Sequence, residues 1–442
     1  MSHALETQLT TLETSGLIRA ADVEPELEYL FRHALIQDAA YESLLKSDRR
    51  VLHRAVAETL EQLYPDQHDE LAAVLALHFA AAQDQPKAIA YYRRAAQHAV
   101  GRYAYEEGLQ HLEAALDLLP SGPNETRAAL LEELADLHQL IRNGKQAVTL
   151  YQAALEQWAS LAANAADSEI ALRLHRKILE TFPNMLIGGQ FEQVQAMAPI
   201  MEHSQASLKA GVSKAETQSP RLETVRQLIA LSRDAWLTSF RFEEVDLERG
   251  EQFARAAVQL AEQLNAPQEL AAALEALAGV HYAHNQLREH LDLTLRRLAL
   301  SREAQFNDLR GQVNVLGSVA SAFVYVGEYQ QAVPYTLEAE ILSDRIRAVF
   351  WRVQALGVQS QCAFRLDRWD DMLRIADKRA ELEKQYPREQ VGFTCFEIGL
   401  TATIHALRGE MELARQLREQ AYRIMVGGDT PDPNNWARNQ HY

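Results

Sequence analysis

The stretch Leu316 to Leu342, LGSVASAFVYVGEYQQAVPYTLEAEIL, decides how the rest of the chain is read. Val319, Ala320 and Phe323 recur at i, i+1 and i+4 before Gly327, and Ala332, Tyr335, Thr336 and Ala339 recur at i, i+3, i+4 and i+7 after it. Small and apolar residues at a helical period on both sides of a breaker predict two short amphipathic helices hinged at the glycine. The pair Ala320 and Ala332 then serves as a landmark. It recurs as Ala96 with Gly108, Ala135 with Ala147, Thr238 with Gly250, Gly279 with Leu291, Ser360 with Met372, and Ala402 with Ala414. From Gly250 the second landmark advances through Leu291, Ala332, Met372 and Ala414 in steps of 41, 41, 40 and 42 residues. A fixed period in this range is the signature of a helical solenoid. A small residue is expected at the landmark because two helices cross closely there. The expected fold is therefore all-α, a right-handed superhelical solenoid of antiparallel helix pairs.

Length and composition agree with that reading. A chain of 442 residues exceeds one ordinary core, and a solenoid resolves this because each repeat buries its faces only against its neighbours. Forty-four Lys and Arg against 61 Asp and Glu leave a formal net charge of -17, which argues against a general nucleic-acid binder. Two cysteines, Cys362 and Cys395, make neither a disulfide framework nor a cysteine-rich zinc module. No apolar run is long enough to span a bilayer, and the first residues, MSHALETQLT, lack the basic start and apolar core of a signal peptide. A cytoplasmic protein that contacts neither membrane nor nucleic acid is expected.

Along the chain, LETQLTTLETSGLI predicts a helix ending at Gly16, and LIRA and LEYLF predict two short strands around the acidic turn AADVEPE. A helix followed by a small hairpin has the form of the tail of a winged-helix unit. From Phe31, Leu35, Ala39, Leu44, Leu45, Leu52, Val56 and Leu60 trace a long helical stripe, with a break expected near Ser47 and Asp48 and Asp48 as N-cap. Pro120-Ser121-Gly122-Pro123 stops a helix and turns the chain. The expected organisation is a winged-helix remnant and connecting helix over 1–46, N-terminal repeats over 47–210, a polar loop over 211–220 (GVSKAETQSP), repeats of about 40 residues over 221–425, and a disordered tail over 426–442.

The runs FRHALIQDAAYESLL, RRVLHRAVAETLE and HFAAAQDQPKAIAYYRRAAQHAVGRYAYEEGLQHLEAALDLLP resemble the junction between the winged helix and the tetratricopeptide-like sensor arm of bacterial STAND-class signalling ATPases, some of which are fused to nucleotide cyclases. The resemblance is specific over about Leu12 to Pro120 and becomes a general repeat pattern beyond it. It implies a non-catalytic arm that senses an effector for a signalling ATPase or transcriptional regulator, with the ATPase half as partner. It also implies that His33, in Phe31-Arg32-His33, corresponds to the family's nucleotide-sensing histidine. The chain carries no G-x-x-x-x-G-K-[ST] loop, so any phosphate read by His33 would come from an ATPase core outside this sequence. A freestanding tetratricopeptide adaptor is the alternative.

Candidate binding residues follow from the repeats. Gly317, Gly357 and Gly399 stand fifteen residues before their landmarks. Glycine inside a helix costs about 1 kcal/mol relative to alanine, so three at one structural position suggest a backbone closely approached by a neighbouring repeat or by a ligand. Groove-facing positions on the first helices are His284, then Asn314, Ser321 and Tyr325, then Gln354, Gln361 and Arg365, with Phe364 and Phe396 among them. This neutral polar lining with one cation suits a protein or peptide, or a small-molecule effector, and a solvated helix face accounts for the same residues. His281, His284 and His290 lack the support a zinc site needs, and no nucleophile elbow is present, so neither metal, cofactor nor catalytic residues are expected. Lys46, Arg49, Arg50 and Arg54 read as a solvated helix face.

Overall fold

The computed structural model describes residues 3–21, 29–161, 169–187, 191–215, 221–238, 246–303, 308–386 and 394–426. The chain divides into two compact units, Met1–Ser121 and Gly122–Tyr442, at the Pro-Ser-Gly-Pro turn.

In the first unit α1 (His3–Thr14) leads into β1 (Ile18–Ala20), which pairs antiparallel with β2 (Tyr29–Phe31), Ile18 opposite Phe31. The helix and ladder lie where the sequence placed them, and most of the intervening acidic turn falls outside the described residues. Four helices follow: α2 (Ala34–Ser43), α3 (Lys46–Leu63), α4 (Ala72–Ala81) and α5 (Gln85–Gly101), and then α6 (Tyr105–Asp117). The break between α2 and α3 comes at Leu44 and Leu45, both extended, earlier than Ser47. Asp48 is thus not the N-cap; it sits in the first turn, where its carboxylate still meets the positive end of the helix dipole. Ala57, Leu75, Phe79 and Ala88 form one buried cluster of this unit, and Tyr91 stacks on Phe79 at 5.5 Å. Asp84 caps α5 by accepting from the Lys87 amide.

The second unit is the array: α7 (Glu125–Leu140), α8 (Gly144–Leu161), α9 (Glu169–Ile187), α10 (Phe191–Ala196), α11 (Ala198–Ala215), α12 (Leu222–Thr238), α13 (Leu247–Gln263), α14 (Pro267–Ala283), α15 (Leu287–Ser301), α16 (Leu309–Tyr325), α17 (Tyr329–Arg345), α18 (Val349–Arg365), α19 (Trp369–Gln385), α20 (Thr394–Leu407) and α21 (Met411–Val426). Each helix packs on the next, and the first helices of successive pairs also touch, α12 on α14, α16 on α18 and α18 on α20. The quoted stretch Leu316–Leu342 is most of α16 and α17, hinged at Gly327 with φ 80°.

The landmark glycines behave as close crossings require. A Cβ on Gly250 would sit 2.8 Å from the Ala235 methyl, and one on Gly279 would sit 2.4 Å from the Trp236 ring. The expected loop over 211–220 begins later than the sequence suggested: α11 continues through Ala215, and Gly211 packs with Leu172 of α9 only 2.8 Å from where its Cβ would be. Residues 216–220 and the expected disordered tail beyond Val426 lie outside the described residues.

The turns inside four pairs share one geometry. Asn285, Gly327, Asp367 and Gly409 are left-handed, and in each case the next amide bonds back five residues, Gln286 to His281, Glu328 to Phe323, Arg368 to Ala363 and Glu410 to His405. This is the Schellman stop, which satisfies the last carbonyls of one helix while reversing the chain. The array also folds back on itself: Arg310 at the start of α16 donates to the Leu140 carbonyl at 2.7 Å, and the Arg142 guanidinium lies 3.6 Å over the Phe350 ring of α18.

Candidate functional site

The residues expected to line a groove lie on α16, α18 and α20 and at the end of α14. Asn314, Gly317, Ser321 and Tyr325 follow one another along α16 at spacings of three and four, which places them on one side of the helix. Tyr325 is 43% exposed and packs its ring 4.8 Å from Tyr282 of α14 and 6.0 Å from His290 of α15. His290 is held by its Nδ1 on the Ala278 carbonyl at 2.8 Å, and burial keeps its pKa below the usual histidine value. Asn314 accepts from Arg297 at 2.6 Å. Beyond the backbone of its own helix, a Cβ at Gly317 would meet no atom of the described residues within 4 Å, and the same holds at Gly399. No neighbouring repeat presses on either glycine.

Gly357 is different. It is buried, and a Cβ there would lie 3.1 Å from the Arg379 guanidinium. That arginine crosses from α19 to pair with Glu397 of α20 at 2.6 Å, and Ser360 donates to the same carboxylate. Gly357 therefore makes room for an internal ion pair and belongs to the packing of the array, which corrects its placement in the groove. Gln354 and Gln361 are half-buried on α18, Arg365 lies 6.0 Å over the Tyr329 ring, and Phe396 is partly exposed at the start of α20. Phe364 belongs to the cluster of Ala363, Met372 and Ile404. His284 caps the end of α14 and is exposed, whereas His281 is buried with its Nδ1 on Gln286. His281 and His284 thus face different surroundings. Among the described residues no group of three or more His, Cys, Asp or Glu is placed to hold a metal ion.

A row of ion pairs, which the repeat pattern did not signal, joins the helices before the groove. Glu132 of α7 receives Arg173 of α9 at 2.8 Å and Lys177 at 2.7 Å, and Lys177 also reaches Asp136. Arg176 pairs with Glu180 and with Glu223 of α12, both at 2.7 Å, Arg226 reaches Glu269 of α14, and Arg233 reaches Glu275. Burial raises the pKa of Glu132, yet hydrogen bonds from Arg173 and Lys177 outweigh it and hold the carboxyl below the usual range. The row ends at Arg297 of α15, whose Nη2 lies 2.9 Å from Glu275 and which also donates to Asn314 and Ser318 of α16. Arg297 stands within the arc of the buried stripe Leu291, Thr294, Leu298 and Ser301, and an arginine among those positions was the available sequence signal.

In the first unit His33 is the exposed residue preceding α2, and its side chain makes no capping bond. Arg49 donates to the Glu42 carbonyl and lies 4.5 Å over the Tyr41 ring, while Arg54 reaches Asp84 at 3.9 Å. A cavity of about 350 Å³ is lined by Asp69, Glu70, His98, Arg102, Glu107 and His111. Of these residues Asp69 is already paired with Arg94, and Arg102 with Glu107. On the outer side of α3, Leu45, Leu52, Val56 and Leu63 form a stripe at 68, 50, 41 and 64% exposure. No helix among the described residues is long and apolar enough to cross a membrane.

No protein-family model matches this sequence, and no curated protein does. Solved structures do. The Rap protein crystallised with Competence and Sporulation Factor superposes with a TM-score of 0.52 at 12% identity, over 86% of this chain and 98% of that one. The STAND protein with a tetratricopeptide repeat sensor from Pyrococcus horikoshii gives 0.49 at 12% identity, over 94% of this chain and 58% of that chain. The apo form of RapI gives 0.48 at 12% identity, over 69% and 78%. At these identities the likeness is one of fold, a tetratricopeptide-like solenoid.

Proposed function

We propose that this chain is a protein-interaction repeat domain whose first-helix face on α14 to α18 binds a peptide, and that it serves as the effector-sensing arm of a STAND-type signalling ATPase. The carrying observation is Gly317. A glycine in the middle of a helix costs about 1 kcal/mol relative to alanine, and no internal neighbour explains its presence. Open space over the half-buried Gly317, beside the exposed Tyr325 and half-buried Ser321, lets an extended ligand approach the helix closely, with the Ser321 hydroxyl to hydrogen-bond and the Tyr325 ring as an aromatic wall. The fold likeness to the Rap protein complexed with Competence and Sporulation Factor supports the same reading. The exposed stripe Leu45, Leu52, Val56 and Leu63 supports the second partner, the ATPase half, because an apolar stripe of that length on a helix seeks cover. On this reading effector binding favours one arrangement of the array and so biases the partner at the His33 end.

The test is affinity selection of a randomised peptide library on the immobilised full chain and on Gly317→Trp. Enrichment on the wild-type chain that is lost in the variant is the expected result. Equal enrichment on both would overturn the groove reading. Gly317→Ala checks the premise separately: it should raise unfolding stability by roughly 0.5–1 kcal/mol, because a methyl there meets only open space.

A further inference from the structure

We propose that Arg233 and Arg297 form an oxyanion subsite at the edge of the α16 groove, which anchors a carboxylate of the bound peptide; the inference rests on the groove reading above and names the chemistry of its ligand. The argument is a count of charges. At α7 and α9, Arg173 and Lys177 meet Glu132 and Asp136, two cations with two anions. At α9, α12 and α14, Arg176 and Arg226 meet Glu180, Glu223 and Glu269, two cations with three anions. At the end of the row the balance reverses. Arg233 and Arg297 both point at a single oxygen, Oε2 of Glu275, at 2.7 and 2.9 Å.

The remaining partners of Arg297 are neutral, Asn314 Oδ1 and Ser318 Oγ, and its buried Nε–H finds no acceptor among the described residues. Its side chain is 8% exposed, so a surplus positive charge is held largely out of water. Burial accordingly pushes the Arg297 pKa down, Glu275 opposes the shift and Arg233 adds to it. A structural pair needs one guanidinium for one carboxylate; among the described residues the second meets no further carboxylate, and an uncompensated buried charge is costly. A second oxyanion would remove that cost.

The geometry leaves a way in. A quarter of the Arg233 side chain and about a third of Glu275 are reached by solvent, so the pair is open on one side. Arg233 donates to Glu275 through Nη2, and a guanidinium has five N–H donors in a planar fork that suits a carboxylate. Gly317 stands between Asn314 and Ser318 on α16, so the open space over it borders the residues that hold Arg297. The location also matters electrostatically. With a net charge of -17 the chain repels acidic ligands over most of its surface, and a local cationic surplus sets both where and how such a ligand docks.

Selection of the randomised peptide library is repeated on Arg233→Gln, with binding of the enriched peptides then measured by calorimetry. Arg233→Gln is chosen because it leaves Glu275 and Arg297 as a balanced pair, and unchanged thermal unfolding establishes that the variant folds. The expected result is that peptides enriched on the wild-type chain carry Asp or Glu, or require a free C-terminal carboxylate, and bind Arg233→Gln roughly tenfold more weakly, the scale of one charge-assisted hydrogen bond. Glu275→Gln, which removes the competing internal carboxylate, should bind them more tightly. Enriched peptides that are neutral, lost in Gly317→Trp and indifferent to Arg233→Gln would overturn the oxyanion subsite and leave the groove standing. No enrichment on any form would overturn both.

Discussion

The two halves of the array hold their repeats together by different means. From α16 to α21 the helices bury small and apolar landmarks, Ala320, Ala332 and Met372, and charge enters the core at one place, where Arg379 and Ser360 meet Glu397. From α7 to α14 the first helices are bolted by charges, Glu132 to Arg173, Arg176 to Glu223 and Arg226 to Glu269. Small-residue contacts fix a register that repeats, so the period is printed in the sequence. Ion pairs tolerate shifts in position because long side chains reach, so there the period is blurred.

The contrast is broken most directly at Arg176. It is 9% exposed and serves two carboxylates, and burial of its guanidinium is outweighed by Glu180 and Glu223, which raise its pKa above the ordinary arginine value. Arg176→Ala leaves Glu223, itself mostly buried, without its main partner, and removing one member of a buried pair costs roughly 3–5 kcal/mol. Urea unfolding should register a loss of that size, with Arg176→Met in combination with Glu223→Gln recovering more than half of it. A loss under about 1 kcal/mol would mean that the charges decorate the α9 to α12 joint and do not hold it.

The adjoining contact between α9 and α11 predicts acid sensitivity. His175 is 7% exposed, its Nδ1 lies 3.2 Å from Ser204 Oγ and its ring lies 5.2 Å from His203. Burial, with His203 adding to it, pushes the His175 pKa down to about 4. A folded pKa below the unfolded value near 6.5 means that the unfolded chain binds the extra proton. Stability is therefore intact above about pH 6.5 and is lost as pH falls toward 4. Between pH 7 and 5 the wild-type chain should lose about 2 kcal/mol more than His175→Gln. Equal losses would place His175 in contact with water.

These differences also explain what could be read in advance. The helix pairs, the hinge at Gly327 and the crossings at Gly250 and Gly279 followed from periodicity, because a missing Cβ and a 3.6-residue stripe are local facts. On α16, Asn314, Gly317, Ser321 and Tyr325 shared a helix face for the same reason. Gly357 was misplaced because its neighbour, Arg379, comes from another helix and no local pattern announces it. The long-range contacts are invisible in the same way: Arg310 on the Leu140 carbonyl and Arg142 over Phe350 join residues that only the curvature of the array brings together. The triad of Arg233, Glu275 and Arg297 spans three helices, and only the odd arginine in the buried stripe of α15 hinted at it.

The finest test of the contrast lies in the turns. Asp367 is exposed and left-handed at φ 57°, in the place that Gly327 and Gly409 occupy in the neighbouring pairs. A side chain in that conformation costs roughly 1–2 kcal/mol, less for aspartate than for most residues, and glycine removes the cost while giving the unfolded chain more freedom to lose. Asp367→Gly should therefore gain about 0.5 kcal/mol, read as a higher urea midpoint at unchanged slope. In the charge-bolted half the equivalent change should fail. Arg142 is left-handed at φ 64°, so relief of the backbone is available there too, but its guanidinium stacks on Phe350. Arg142→Gly forfeits a cation–π contact of roughly 0.5–2 kcal/mol and ends neutral or destabilised. If both substitutions stabilise equally, the turns of the two halves are the same device and the fold-back through Arg142 contributes nothing. If only Asp367→Gly gains, the regular half turns by backbone preference alone, and the other half turns where a distant helix holds it.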